Sequence, residues 1–213
     1  GDEDFNVKIT SPGASYVLKI ATTNLQRLET QNNVLHFLSQ KELPLTIPRV
    51  LPNIKGEKYT SITIGTTQYY VRLITFVQGR LWAKVNPKTS VLRHDLGYKA
   101  GAITKALLDF TPWSSPSDSH WDLANASWSF KQTALFKGEK RALITRFQSL
   151  FKAIESCHKT LPKSTVHADV NDYNILISND LKNLEVAGII DFGDTTYTQT
   201  INDVAITIAY GVM

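Results

Sequence analysis

The run His167-Ala168-Asp169-Val170-Asn171-Asp172-Tyr173-Asn174 puts an aspartate and, five residues on, an asparagine in one short loop; Asp191-Phe192-Gly193-Asp194 follows, with Asp191 seventeen residues after that asparagine. These residue types at this spacing suit phosphoryl transfer. That reaction asks little covalent work of a protein; it needs a base beside the acceptor hydroxyl and cations across the phosphates. On this reading Asp169 accepts or orients the hydroxyl proton. Asn174 offers its amide oxygen to Mg²⁺, and Asp191 supplies the hard carboxylate for Mg²⁺ bridging the phosphates. Val166 and Ile175-Leu176-Ile177 read as buried strands that hold the loop rigid, and His167 as a structural residue of it.

Such a site needs a lysine for the phosphates. Lys19 lies within the apolar strand Tyr16-Val17-Leu18-Lys19-Ile20, where a charge is costly unless paired. Glu29, ten residues on in the next helix, is the expected partner. Asp4-Phe5-Asn6, before the first strand, and the Pro12-Gly13 turn are candidates for the loop over the phosphates, although no G-x-G-x-x-G is present.

The elements that must position these groups follow from periodicity. Phe5 to Thr10 and Tyr16 to Ala21 read as a hairpin around Ser11-Pro12-Gly13. Leu25 to Leu38 has helical spacing, with Thr23 or Asn24 as its cap. Ile62 to Thr66 and Gln68 to Phe76 read as a second hairpin. After Gly79 the period becomes helical. One stripe is Leu92, Leu96, Ile103, Leu107 and Leu108; another is Leu143, Phe147, Leu150, Phe151, Ile154 and Cys157. A Pro/Ser loop at Thr111 to Ser119 separates them, with Trp113, Trp121 and Trp128 around it. Ala187 to Phe192 reads as a short buried strand. Asn202-Asp203 opens a last helix, with Asp203 as an N-cap. The expected fold class is α+β and bilobal: a small β-rich lobe over residues 1–79 and a larger, mostly helical lobe over 80–213.

Composition sets the outer bounds. A chain of 213 residues with 42% hydrophobic and 20% charged residues can fill a core, and is neither disordered nor fibrous. No apolar run is long enough for a bilayer, and no signal peptide is visible. One cysteine, Cys157, excludes an internal disulfide framework and a Cys-rich zinc site; a reducing, cytoplasmic setting is expected. The formal charge of +4 is scattered, so neither nucleic acid nor membrane is an expected partner. Lys137 to Arg141 reads as a solvated helix start.

Taken together, the Lys19 strand, Glu29-Thr30-Gln31-Asn32, Pro48-Arg49-Val50, Val71 to Phe76, Gln78-Gly79, His120-Trp121-Asp122-Leu123, the His167–Asn174 loop and Gly188 to Asp194 resemble the aminoglycoside phosphotransferase/choline kinase superfamily. Within it the resemblance is greatest to hydroxylysine kinases and to the kinase-like domain of class III aminotransferase fusion proteins. It implies a protein-kinase-like fold and transfer of the γ-phosphoryl of ATP or GTP, with Mg²⁺, to a hydroxyl of a small amine-bearing acceptor such as hydroxylysine. It also implies adenine between the lobes near Ile74, Phe76 and Val77, packed by Val17, Leu176 and Ile190, with Asn6, Lys19 and Glu29 on the phosphate side. Members of this group continue past the position of Met213 and carry residues before Gly1, so the chain reads as a fragment, and the resemblance to the fusion proteins implies an aminotransferase domain as a partner in the parent protein. Asp172 and Asp194, with Asp169, are expected to form an acidic rim that favours a cationic acceptor. The alternatives are an aminoglycoside or choline/ethanolamine phosphotransferase, and a non-catalytic nucleotide-binding module of a fusion enzyme.

Overall fold

A computed structural model describes residues 4–111 and 121–212. Trp113, His120 and residues 112–119 of the Pro/Ser loop therefore lie outside the described residues.

Strands β1 (Asp4–Ser11) and β2 (Ala14–Ala21) form the first hairpin. Helix α1 (Leu25–Ser39) follows, and the Asn24 side chain caps it by accepting from the Gln26 N–H at 2.8 Å. After β3 (Val50–Leu51), β4 (Thr60–Ile64) and β5 (Thr67–Thr75) make the second hairpin. These strands form one five-stranded sheet in the order β1-β2-β5-β3, with β4 also paired to β5. β-Branched and aromatic residues fill β5, and its alternate residues Tyr70, Arg72 and Ile74 are buried, as a half-buried strand requires.

The pairing changes at Gly79. The strand after it, β6 (Arg80–Leu81), joins a separate sheet of order β6-β8-β9 with β8 (Ile175–Ile177) and β9 (Val186–Ile189). Gly79 has φ +154°, and a Cβ there would lie 2.9 Å from the Ile177 carbonyl oxygen and from the Leu176 Cβ. Only glycine fits this crossing. The remaining strands, β7 (Lys163–Val166) and β10 (Thr196–Gln199), pair with each other.

Helix α2 (Ser90–Leu107) is capped by Thr89 and buries Leu92, Leu96, Ile103 and Leu107 in a core shared with Trp82, Ile175, Ile177 and Ile189. Leu108, read as part of that stripe, is outside the helix and exposed. Helix α3 (Gly138–Thr160) differs more from expectation. Its predicted core stripe is at the surface: Leu143, Phe147, Leu150 and Ile154 are all more than half exposed, and Cys157 is exposed. Periodicity reports that a face is apolar, not that something covers it. Helix α4 (Ile201–Gly211) closes the described chain. Among the described residues no helix is long and apolar enough to cross a membrane.

Candidate active site

The Asp169 loop runs from β7 to β8, and hydrogen bonds fix it at both ends. Asn174 donates its amide to the Asp169 backbone oxygen at 2.9 Å and to Asp169 Oδ2 at 2.7 Å. Asn171 Nδ2 donates to Asp169 Oδ1 at 2.8 Å, while Asn171 Oδ1 accepts from the backbone N–H groups of Tyr173 and Asn174. With both hydrogens of the Asn174 amide engaged, its Oδ1 is the atom left for a cation. Burial pushes the Asp169 carboxyl above its ordinary value; the Asn171 hydrogen bond opposes this and the charges of Asp194 and Asp191 add to it.

His167 is fully buried. Nε2 faces the Ile190 carbonyl at 3.0 Å, Nδ1 accepts from the Asp169 N–H at 3.2 Å, and the ring packs on Phe192. Nε2 therefore carries the hydrogen, and the residue is structural, as predicted. Between His167 and Asp169, Ala168 has φ +64°, a conformation costing a non-glycine residue roughly 1–2 kcal/mol. Its N–H donates to Asp203 Oδ1 at 3.0 Å, and Asp203 Oδ2 accepts from Thr104 at 2.7 Å. Asp203 was expected to cap α4. It lies instead in that helix's first turn, and its carboxylate holds the Asp169 loop.

The second acid follows β9. The predicted strand through Phe192 stops at Ile189 because Asp191 turns to φ +62° and Phe192–Asp194 form a tight 3-10 turn. Asp191 Oδ1 accepts from Lys19 Nζ at 3.3 Å and from the Gly193 N–H at 3.3 Å. Burial alone would raise the Asp191 carboxyl, but the Lys19 ammonium and the Gly193 N–H are among the groups that together offset it, and the group lies below its ordinary range.

Lys19 is buried, and its partners are Asp191 and, at 3.1 Å, Asp4. This corrects the predicted Lys19–Glu29 pair. Glu29 is exposed on the opposite face of α1, where it interacts with the Tyr59 hydroxyl. The α1 residues that reach the site are Arg27 and Gln31. Both donate to the Gly193 carbonyl, and Arg27 also pairs with Asp194 at 2.7 Å. Gln31 and Asn32 accept from the buried guanidinium of Arg72, which stands opposite Lys19 on β5. Burial pulls that guanidinium below its usual range, with Asp4 and Asp191 opposing. The sequence signal for Arg72 was a second cation inside an apolar strand, in register with the first.

The expected phosphate-covering residues also need correction. Asp4 and Asn6 belong to β1 itself, and Asn6 pairs with Lys19. The Pro12-Gly13 turn closes the other end of the hairpin, six residues from Lys19 and thus about 20 Å away along the strand. It cannot share a phosphate with that lysine.

A cleft of about 240 Å³ opens between the sheets, lined by Asn6, Val17, Lys19, Ile74, Phe76, Val77 and Ile190, among others. Leu176, expected on the same face, is not among the lining residues. It is buried in β8 beneath Gly79. On the far side of Asp191 two adjoining cavities, about 400 and 290 Å³, share Trp121, Asp169, Asp194 and Tyr210 as walls. Asp172 lines neither; its carbonyl accepts from the Ala83 N–H. Asp194 does line them, but it is paired with Arg27, which partly offsets its charge. Of the three expected rim acids, Asp169 is the one that lines the cavity without a cationic partner among the described residues; Asp4 and Asp191, which also wall it, pair with Lys19. Asp122 places Trp121: its buried carboxylate accepts from the Ala124 N–H and from Thr198 and Asn202.

Among the described residues no three His, Cys, Asp or Glu side chains converge as a self-sufficient metal site. Asp191 and Asn174 still fit Mg²⁺, which takes oxygen donors and is commonly held by one or two protein groups with substrate phosphates completing its shell.

With this geometry in hand, comparison with known proteins is direct. The phosphotransferase enzyme family model matches residues 1–213. The chain belongs to this family. It is 29% identical to mouse (Mus musculus) hydroxylysine kinase over 240 residues and 28% identical to the Xenopus laevis hydroxylysine kinase over 234. These alignments cover 98% of this chain but 61% and 62% of those proteins, so it spans about three-fifths of their length. Among solved structures, an amicoumacin kinase in complex with AMP-PNP and Ca²⁺ matches with TM-score 0.71 at 16% identity, covering 99% of this chain and 62% of that one. A microcompartment-associated aminopropanol kinase matches with TM-score 0.68 at 16% identity, covering 98% and 70%. At these identities the structures establish the fold: α+β, with the kinase-like arrangement that family members share.

Proposed function

We propose that the protein transfers the γ-phosphoryl group of ATP or GTP to a hydroxyl of a small, amine-bearing acceptor, with hydroxylysine as the leading candidate. One observation carries this reading. Asp169 is presented by Asn171 and Asn174 to a cavity walled also by Asp191, and Asp191 in turn borders the cleft that holds Lys19 and pairs with that lysine, so base, metal-side carboxylate and phosphate-side cation stand in sequence. The hydroxylysine kinase relatives and the nucleotide-bound structural neighbours support it.

In the reaction the acceptor oxygen attacks the γ-phosphorus, its proton passes toward Asp169, and the bond from γ-phosphorus to the β–γ bridging oxygen breaks to release the nucleoside diphosphate. Lys19 binds phosphate oxygens, Asn174 and Asp191 would hold Mg²⁺, and the ion when bound would neutralise charge on the phosphates. Val17, Ile74 and Ile190 sandwich the base. The acceptor's ammonium group is favoured by the Trp121 and Tyr210 walls beside Asp169, since aromatic faces attract cations. A cytoplasmic location goes with this reading, since the donor nucleotide is abundant there and the single exposed thiol suits a reducing compartment.

The test is an ADP-release assay on the full-length protein with hydroxylysine, ethanolamine, choline, homoserine, an aminoglycoside and a neutral sugar alcohol. Turnover of hydroxylysine or another amine-bearing alcohol is expected. Preference for the neutral sugar alcohol would overturn the acceptor class, and no turnover of any would overturn the activity.

A further inference from the structure

Helix α1 has two working faces. Arg27, Gln31 and Leu35 face the nucleotide side, whereas Glu29, Asn33, His36 and Gln40 stand about half a turn of the helix wheel away. That second face lines a cavity of about 730 Å³, closed by Lys58, Tyr59 and Phe110. Nothing in the phosphoryl-transfer site uses it.

Asn32 lies between the two faces. It is 1% exposed, and its Oδ1 accepts from Arg72. That bond fixes the amide, because turning it over would aim an NH₂ group at a guanidinium. Its Nδ2 then has no hydrogen-bond partner, in a residue that lines the cavity. A buried donor without an acceptor is costly, and in native proteins such a group has a reason.

The chemistry along the cavity is ordered. Glu29 comes first, engaged by the Tyr59 hydroxyl. One helical turn on are the amides of Asn32 and Asn33, with Lys58 Nζ donating to Asn33 at 3.0 Å. Another turn on is the edge-to-face pair of Phe37 and Phe110, 5.2 Å between centroids. An anion, then hydrogen-bond donors with a cation, then an aromatic pair, at about 6 Å intervals, matches an ammonium, a carboxylate and an apolar side chain in sequence. We propose that this cavity binds a free α-amino acid with an aromatic side chain. Its ammonium would meet Glu29, its carboxylate would accept from Asn32 Nδ2 and Lys58, and its ring would pack on Phe37 and Phe110. The Asn32–Arg72 bond ties this site to the nucleotide cleft, because Arg72 lines that cleft. Binding of either ligand must then change affinity for the other by the same factor.

Calorimetric titration of L-phenylalanine into the full-length protein tests this, with 3-phenylpropionate and L-phenylalaninamide as probes lacking the ammonium or the carboxylate. Saturable binding of L-phenylalanine is expected, with both probes weaker. Each of Glu29→Gln and Lys58→Met should weaken it about tenfold, the scale of one charge-assisted hydrogen bond. Asp194→Asn, on the other side of α1, should leave it unchanged, and saturating L-phenylalanine should shift the Kd of AMP-PNP. Absence of saturable binding to the wild type would overturn the proposal. So would binding that survives Glu29→Gln and Lys58→Met but is lost in Asp194→Asn, which would put the amino acid in the cavity beside Asp169. Neither result bears on phosphoryl transfer, which the ADP-release assay reads separately.

Discussion

Asp203 Oδ1 lies 3.0 Å from the backbone nitrogen of Ala168, and this contact joins the first turn of α4 to the residue just before Asp169. Ala168 holds a positive φ that its side chain disfavours, and a buried carboxylate steadies it there. Asp203→Ala should therefore lower unfolding stability by about 1–3 kcal/mol, the cost of leaving a buried donor unpaired. It should also lower kcat more than it raises KM for nucleotide, because only the loop carrying Asp169 loses its anchor. Ala168→Gly should stay within about 1 kcal/mol of wild type, since relief at positive φ is offset by a freer unfolded chain. Denaturant unfolding and steady-state kinetics on the two variants check both.

Asp169→Asn should leave nucleotide binding intact and cut turnover by at least about 10²-fold, the usual worth of a positioned general base. Fluorescence titration of a nucleotide analogue beside the coupled assay separates the two effects. Activity within a few-fold of wild type would remove Asp169 from its role.

The pH profile follows from two carboxyls displaced in opposite directions. Asp169 is raised, chiefly by burial, and must be deprotonated to act as base. Asp191 lies below its ordinary range because Lys19, together with other neighbours such as the Gly193 N–H, offsets the effect of burial, so it stays ionised into more acid solution. As pH falls, turnover should be lost while Mg²⁺-dependent nucleotide binding persists. Measuring kcat and the Kd of a non-hydrolysable analogue over the same acid range decides it; coincident loss would contradict the assignment.

Asp191→Ala should abolish the Mg²⁺ dependence of nucleotide binding, since the hard cation loses its carboxylate. Titrations with and without Mg²⁺ read this directly, and an unchanged dependence would place the ion elsewhere.

Glu29→Gln should leave nucleotide affinity within about twofold, because Glu29 does not reach Lys19. Gln31→Ala should weaken it by about tenfold, since it strips a buried acceptor from Arg72 and a donor from the Gly193 carbonyl. The opposite ranking would restore the Lys19–Glu29 pair.

The contrast between Glu29 and Gln31 shows what the sequence could disclose. Asp169, Asn174 and Asp191 were legible because their work needs fixed spacing within one or two loops. Strand and helix periods were legible for the same reason: each is a local property. Lys19 was legible as a buried charge, but its partner was not, since the choice between Glu29 and the pair Asp4 and Asp191 depends on how α1 is rotated against the sheet. The same holds for Asp194, which looked like a free acid until Arg27 was placed beside it. It holds for α3 as well, whose apolar stripe is real in sequence and uncovered among the described residues.

Gly188 touches neither cleft nor base, yet a Cβ there would fall 2.6 Å from both the Thr46 carbonyl oxygen and Val77 Cγ1. Neither neighbour can retreat freely: Thr46 is backbone bonded across β9, and Val77 walls the cleft. In a saturation-mutagenesis survey scored by activity of the full-length protein, position 188 would therefore behave like a catalytic one, depleted of every substitution. Such a map would rank it beside Asp169 for a purely steric reason, and a chemical-rescue or nucleotide-affinity readout would be needed to tell the two kinds of intolerance apart.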